Sequence, residues 1–216
     1  MTSDPFSQFT RAPETVEGVL RAERHRAKNT LQVIVSLLSL QAREVADPGA
    51  RNLLVTAQER VRVIALLYER LPRGGTSGAI DFSAVCNDLV AASLRALPQG
   101  IAISSQVNTD PLTLNLDTAI PLGLIAHELL SDSLQHAFVD RPSGRIEVNL
   151  RSTTSLECTL TVIDDGVTRT PLSPSAGEGL RAKIVDVLVR QLRARLTLES
   201  ISGTRLAVRF AVPPLP

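Results

Sequence analysis

Aromatic residues are scarce in this chain: one tyrosine, five phenylalanines and no tryptophan among 216 residues. That excludes a platform of exposed rings for stacking single-stranded nucleic acid, and it leaves Leu, Val, Ile and Ala to build the core. Cysteine is rarer still. Cys86 and Cys158 stand far apart, with no Cys-x-x-Cys or His/Cys ligand spacing, and read as reduced, buried thiols. An excess of either charge is lacking too. The formal net charge is +1, which gives no general electrostatic reason to expect DNA or a membrane surface as partner. Residues 1–12 lack the apolar core of a signal peptide, and no run approaches the ~18 apolar residues of a membrane span. The expectation is a soluble, cytoplasmic protein with no sensor segment of its own, no nucleic-acid partner and no membrane insertion.

What is present is ample apolar material, 44% of the chain, and it is strongly patterned. A helix is expected from about Pro13 to Val45, because Ala27, Leu31, Ile34 and Leu38 fall within roughly 60° of one another at 100° per residue. Val33, Leu37 and Leu40 widen that stripe beyond what one partner helix can cover. His25 lies about 150° from the stripe's centre, with Asn29 one turn on, so this histidine faces solvent. Asp47-Pro48-Gly49 supplies a turn. A second helix is expected from about Ala50 to Leu71, with Leu54, Ala57, Val61, Ile64 and Leu71 at helical spacing. Two such helices joined by so short a turn make an antiparallel hairpin, whose excess apolar surface predicts a four-helix-bundle dimer. Residues 72–78, three glycines in seven, read as a linker. The domain boundaries expected are therefore 13–71 for the hairpin and 79–216 for the second domain.

Beyond the linker the pattern is mixed. Asp81 is expected to cap a helix from Phe82 to about Leu97, and Asp117 another reaching about Phe138. Strands are expected around 101–107, 112–114, 145–151, 157–163, 195–201 and 205–212, with a helix over 178–192. The class predicted is α plus α/β.

The stretch His25-Arg26-Ala27-Lys28-Asn29-Thr30-Leu31-Gln32 closely resembles the phosphoacceptor motif of sensor histidine kinases of the His-Arg-x-Lys-Asn type. From Asp81 onward the order of elements is similar to their GHKL-type ATPase domain, an α/β sandwich. The resemblance implies that His25 accepts a phosphoryl group. An unprotonated imidazole nitrogen must then reach phosphorus in line, which exposure permits. Glu23 could orient the ring or be an ordinary solvated carboxylate; Asn29 would position water or phosphoryl oxygens, and Arg26 and Lys28 would screen charge. In the second domain, Asp164-Asp165-Gly166 resembles the adenine-binding loop, Gly177-Glu178-Gly179 the phosphate loop and Gly203-Thr204 the closing hairpin. On that resemblance Asp164, Gly166, Gly177, Gly179 and Thr204 form a vestigial ATP site.

Departures from the family pattern accompany these matches. Asp132 stands where the family carries its metal-binding asparagine, and would hold metal only if Mg-ATP is bound. His127 replaces a second asparagine, Thr168 a glycine of the adenine loop, and Arg181 a glycine of the phosphate loop, where backbone N–H groups must approach phosphate without a Cβ in the way. Three readings are open. The first is a histidine phosphotransferase derived from the kinases, relaying phosphate through His25 to and from response-regulator receiver domains and needing no cofactor. The second is an ATP-dependent histidine kinase using Mg-ATP. The third is a non-enzymatic adaptor that binds a response regulator.

Overall fold

A computed structural model describes residues 16–72, 79–97, 100–141, 143–154, 156–167, 179–200 and 202–213. The long amphipathic stretch forms α1 (Val16–Glu44), and α2 (Pro48–Glu69) returns antiparallel to it. Asp47 is the N-cap between them: its carboxylate accepts from the Ala50 N–H at 2.6 Å, and Pro48 occupies the first helical position, where no N–H is needed. Of the linker expected at 72–78, all but Pro72 lies outside the described residues, as does Pro13 at the start of the hairpin.

The remainder contains β1 (Ile80–Asp81), α3 (Phe82–Arg95), β2 (Ala102–Thr109), β3 (Thr113–Leu114), α4 (Leu116–His136), β4 (Ser143–Thr154), β5 (Glu157–Asp164), α5 (Gly179–Gln191), β6 (Arg195–Glu199) and β7 (Thr204–Ala211). Asp81 caps α3 as expected, accepting from the N–H groups of Ser83 and Ala84. The cap of α4 is Asn115 rather than Asp117. Its side chain accepts from the Thr118 N–H at 2.9 Å, and Asp117 instead sits in the first turn, where its charge favours the helix dipole.

Five strands form one sheet in the order β2-β4-β5-β7-β6, with β2 parallel to β4 and the other pairs antiparallel; β1 and β3 make a separate pair. Burial alternates along the central strands. Ile146, Val148 and Leu150 of β4, Cys158, Leu160 and Val162 of β5, and Leu206, Val208 and Phe210 of β7 are buried on one face, as a sheet covered on one side requires. Helices α3, α4 and α5 cover that face, giving an α/β sandwich.

The hairpin is not packed apart from this sandwich. Val63, Leu67 and Leu71, from α2 and the residues just after it, belong to the same buried cluster as α4. Gly123 permits the approach: a Cβ there would sit 3.2 Å from Leu67 Cδ1. On α1 the side facing α2 carries Leu31, Val35, Leu38 and Ala42, and only Ala42 is fully buried. Val33, Leu37 and Leu40 are 54–58% exposed and Ile34 is 38% exposed. The centre of the covered stripe is thus Val35 rather than Ile34, and the wide apolar face has no cover among the described residues. Both cysteines are free and buried; burial pushes the Cys86 thiol up to about 12. No helix among the described residues is long and apolar enough to cross a membrane.

Candidate functional site

The open end of the hairpin brings the start of α1 beside the end of α2. A groove of about 490 Å³ there is lined by Arg21, Arg24, His25 and Lys28 from α1 and by Tyr68, Glu69 and Leu71 from the end of α2. His25 and Asn29 are exposed, as their wheel positions require. Lys28 Nζ pairs with Glu69 Oε1 at 2.7 Å, and Arg24 donates to the Pro72 carbonyl. Arg26 Nη1 meets Glu23 Oε1 at 2.8 Å, an i,i+3 pair on the exposed surface. Glu23 is therefore engaged by Arg26, and the carboxylate that lines the groove is Glu69. Sequence reasoning did not single out Arg21, Arg24 or Tyr68. The first two lie within about one turn of His25 and were open to inspection, whereas Tyr68 depends on the pairing of the helices.

A second cluster lies deeper, between α2, α4 and α5. Arg60 precedes Glu69 by nine residues on α2, roughly 13 Å along the helix. Its Nε donates to Glu128 Oε1 at 2.7 Å and its Nη2 to Glu128 Oε2 at 3.2 Å. From the other side Arg181 Nε stands 3.2 Å from Glu128 Oε2, and Arg181 Nη1 3.7 Å from Asp132 Oδ1. Arg181 Nη2 donates to Gln135 Oε1 at 3.0 Å. Glu128 and Asp132 are fully buried, and the Arg181 side chain is 10% exposed. Its Nε and Nη1 are buried without an aligned hydrogen bond. Two arginines and two carboxylates alternate through this cluster.

At the far end of the same helix, Asp164 and Thr204 are register partners on β5 and β7, both 2% exposed. Asp164 Oδ2 accepts from Ser133 Oγ at 2.8 Å and Oδ1 from the Gly166 N–H at 3.2 Å. Thr204 Oγ1 is buried without a hydrogen-bond partner. Gly166 lies so close beneath Ala137 that a Cβ would overlap its carbonyl. Gly203, at φ +128°, allows the backbone to pass the Asp164 carbonyl. The backbone beside Asp164 thus leaves no room for a side chain at 166 or 203. A Cβ at Gly179 would meet nothing within 4 Å, and Gly177 and Thr168 lie outside the described residues.

These facts test the fit of Mg-ATP. Where the resemblance would put the base, Asp164 is buried with both oxygens already accepting hydrogen bonds, and Thr204 Oγ1 is buried without a hydrogen-bond partner. The metal end does not fit. Asp132 faces a guanidinium, and among the described residues no three His, Cys, Asp or Glu side chains converge to hold a metal ion. His127 is separate again: it points toward Glu59 of α2, with Nε2 3.8 Å from Oε2. Burial pushes its pKa down, against the pull of Glu128 and Glu59.

A helical hairpin followed by a one-face-covered α/β sandwich of this topology matches the fold of GHKL-type histidine kinase catalytic regions. Comparison with known proteins agrees. Residues 23–97 match the histidine kinase family HisKA_2. The chain is 29% identical over 195 residues to blue-light-activated histidine kinase 2 of Erythrobacter litoralis, covering 88% of this chain and 55% of that protein. It is 26% identical over 162 residues to the sensor histidine kinase PdtaS of Mycobacterium tuberculosis, covering 73% and 31%. The chain therefore spans only about half, or a third, of these relatives. Among solved structures, the histidine kinase domain of the Erythrobacter litoralis blue-light-activated kinase superposes with a TM-score of 0.67 at 25% identity, over 91% of this chain and 94% of that one. The catalytic domain of histidine kinase ThkA, 12% identical with a TM-score of 0.53, shares the fold alone. The chain is thus similar to histidine kinases over most of its length, and residues 23–97 match their family model. Taken by themselves, the comparisons favour the ATP-dependent reading over the phosphotransferase reading, since each of these relatives is called a kinase.

Proposed function

We propose that this chain is a cytoplasmic two-component phosphotransfer protein whose phosphoacceptor is His25, exchanging phosphate with the aspartate of a receiver domain. What supports the acceptor role is the exposed imidazole in a groove walled by Arg21, Arg24 and Lys28. In the forward step a lone pair of the ring nitrogen forms the N–P bond, and the aspartyl P–O bond breaks. The receiver carboxylate leaves as the anion, and the reverse step returns the phosphoryl group. The groove's cations offset the charge of the transferring oxygens. Lys28 must exchange Glu69 for phosphate to take part, Arg26 must likewise leave Glu23, and Asn29 stands one turn along the same exposed face. The uncovered face of Val33, Leu37 and Leu40 is assigned to a second copy of the chain, forming a four-helix bundle with the hairpin spanning residues 13–71.

The single observation that favours a receiver over ATP as donor is the Arg181 guanidinium between Glu128 and Asp132. The ATP-dependent kinase is the second reading, carried by the comparisons and by the burial of Asp164 and Thr204 where the resemblance would put the base. A fluorescent ATP analogue separates the two: micromolar, magnesium-dependent binding would sink the ATP-independent account. An adaptor without chemistry predicts that His25→Ala retains receiver binding and biological effect, whereas both transfer readings predict that the effect is lost.

A further inference from the structure

Helices α2 and α3 both pack on α4, yet between them they leave a trough with α4 at its back. Its volume is about 610 Å³, the size of a small-molecule site. Val63 and Leu66 of α2 and Leu89 and Ala92 of α3 give it apolar walls, and His127 of α4 closes the inner end. Burial depresses the pKa of that imidazole, so the inner end carries no positive charge at neutral pH. The charges stand at the rim, and most are already matched. Arg70 spans the trough by donating to Asp88 Oδ2 at 2.7 Å, and Glu69 is taken by Lys28 at 2.7 Å. Two guanidiniums are left over: Arg62 of α2 and Arg95 of α3 line the trough, are exposed, and have no ion pair among the described residues. Against them stands one carboxylate, Glu59, whose neighbour is the neutral His127, 3.8 Å away. Among the lining residues, two open cations against one open anion leave an excess of one positive charge beside an apolar wall.

We propose that this trough binds a small amphipathic carboxylate, its apolar body along Val63, Leu66, Leu89 and Ala92 and its head group met by Arg62 and Arg95. The match is one of charge and of shape. A guanidinium offers a carboxylate two parallel N–H donors, and the apolar walls take the ligand's hydrocarbon out of water. One arginine stands on the hairpin and the other on the sandwich, so the ligand would tie the two parts together and raise the stability of the whole chain. No residue of α1 lines the trough, so the site is separate from the groove of His25. The proposal is therefore independent of whether ATP or a receiver supplies phosphate.

The test is isothermal titration calorimetry of the full chain with sodium octanoate, kept below the concentration at which it forms micelles. Wild type should show saturable binding at one site with a roughly submillimolar dissociation constant. Butyrate, which lacks the apolar body, and octylamine, which carries the opposite charge, should each bind at least about tenfold more weakly. Replacing both Arg62→Ala and Arg95→Ala should weaken octanoate binding about tenfold or more. Since both side chains are exposed, the melting temperature of that double variant should stay within about two degrees of wild type. Ala92→Trp, which sets an indole into the trough from an exposed position, should abolish binding. If Ala92→Trp does not fold, the double arginine variant decides alone. Absence of octanoate binding to wild type overturns the proposal, as does octylamine binding as tightly as octanoate. So does undiminished octanoate binding to the double variant or to a folded Ala92→Trp.

Discussion

Two polar clusters sit about 13 Å apart along α2, and they are built in opposite ways. Around His25 the side chains are exposed and their ion pairs are open to solvent: Lys28 and Glu69 keep 37% and 46% of their side-chain surface. Around Glu128 little is open, and each carboxylate already has a guanidinium beside it. Exposed pairs are weak, about 0–1 kcal/mol, and exchange partners readily. Buried pairs hold their partners, because removing one leaves an uncompensated charge at a cost of about 3–5 kcal/mol. The first arrangement suits a group that must trade ligands with each phosphoryl transfer. The second suits a brace.

The contrast can be broken most severely at His25. His25→Ala should abolish phosphoryl acceptance from a phosphorylated receiver, read as loss of labelled protein on a gel, while leaving the melting temperature within about a degree of wild type. At the brace, Leu67→Ala should cost about 2–5 kcal/mol by denaturant unfolding, since Leu67 is fully buried where α2 meets α4. If hairpin and sandwich instead unfold as separate units, two transitions should appear. Glu69→Gln sharpens the comparison from the other side. It frees Lys28 for the phosphoryl group and should raise the transfer rate about two- to fivefold, with stability nearly unchanged.

The smallest expected effect concerns pH. The folded-state pKa of His127 is depressed, chiefly by burial, so below about 6.5 the unfolded chain binds the extra proton first. Stability due to this group is therefore present above that pH and is lost as pH falls through it. His127→Gln should flatten the fall in melting temperature between roughly pH 7 and pH 5. An unchanged slope would assign it to other groups.

Much of this molecule is legible without coordinates. Helix and strand positions derived from periodicity land within a few residues, because alternation on β4, β5 and β7 and the 3.6-residue period on the helices are dictated by one-sided burial. The cap of α4 is harder to read, since Asn115 and Asp117 are both good caps and only the backbone decides which residue begins the helix. The exposure of His25 is readable from the wheel; its groove is not, because Tyr68 and Glu69 reach it through the register of the two helices. Arg60 and Arg181 carry a usable signal. Each continues an apolar stripe, Arg60 with Val63, Leu67 and Leu71, Arg181 with Val185, Leu188 and Leu192. A charge on such a stripe announces a buried partner. What that partner is depends on contacts between distant segments, which no local pattern encodes.

The acceptor end of the chain is thus proposed to be competent while the nucleotide end is closed. The direct measurement offers the purified chain labelled ATP with magnesium, then a labelled phospho-receiver, with His25→Ala as the control. The expected result is label on wild type from the receiver only, and none on the variant. Label arriving from ATP would contradict it and establish the kinase reading instead.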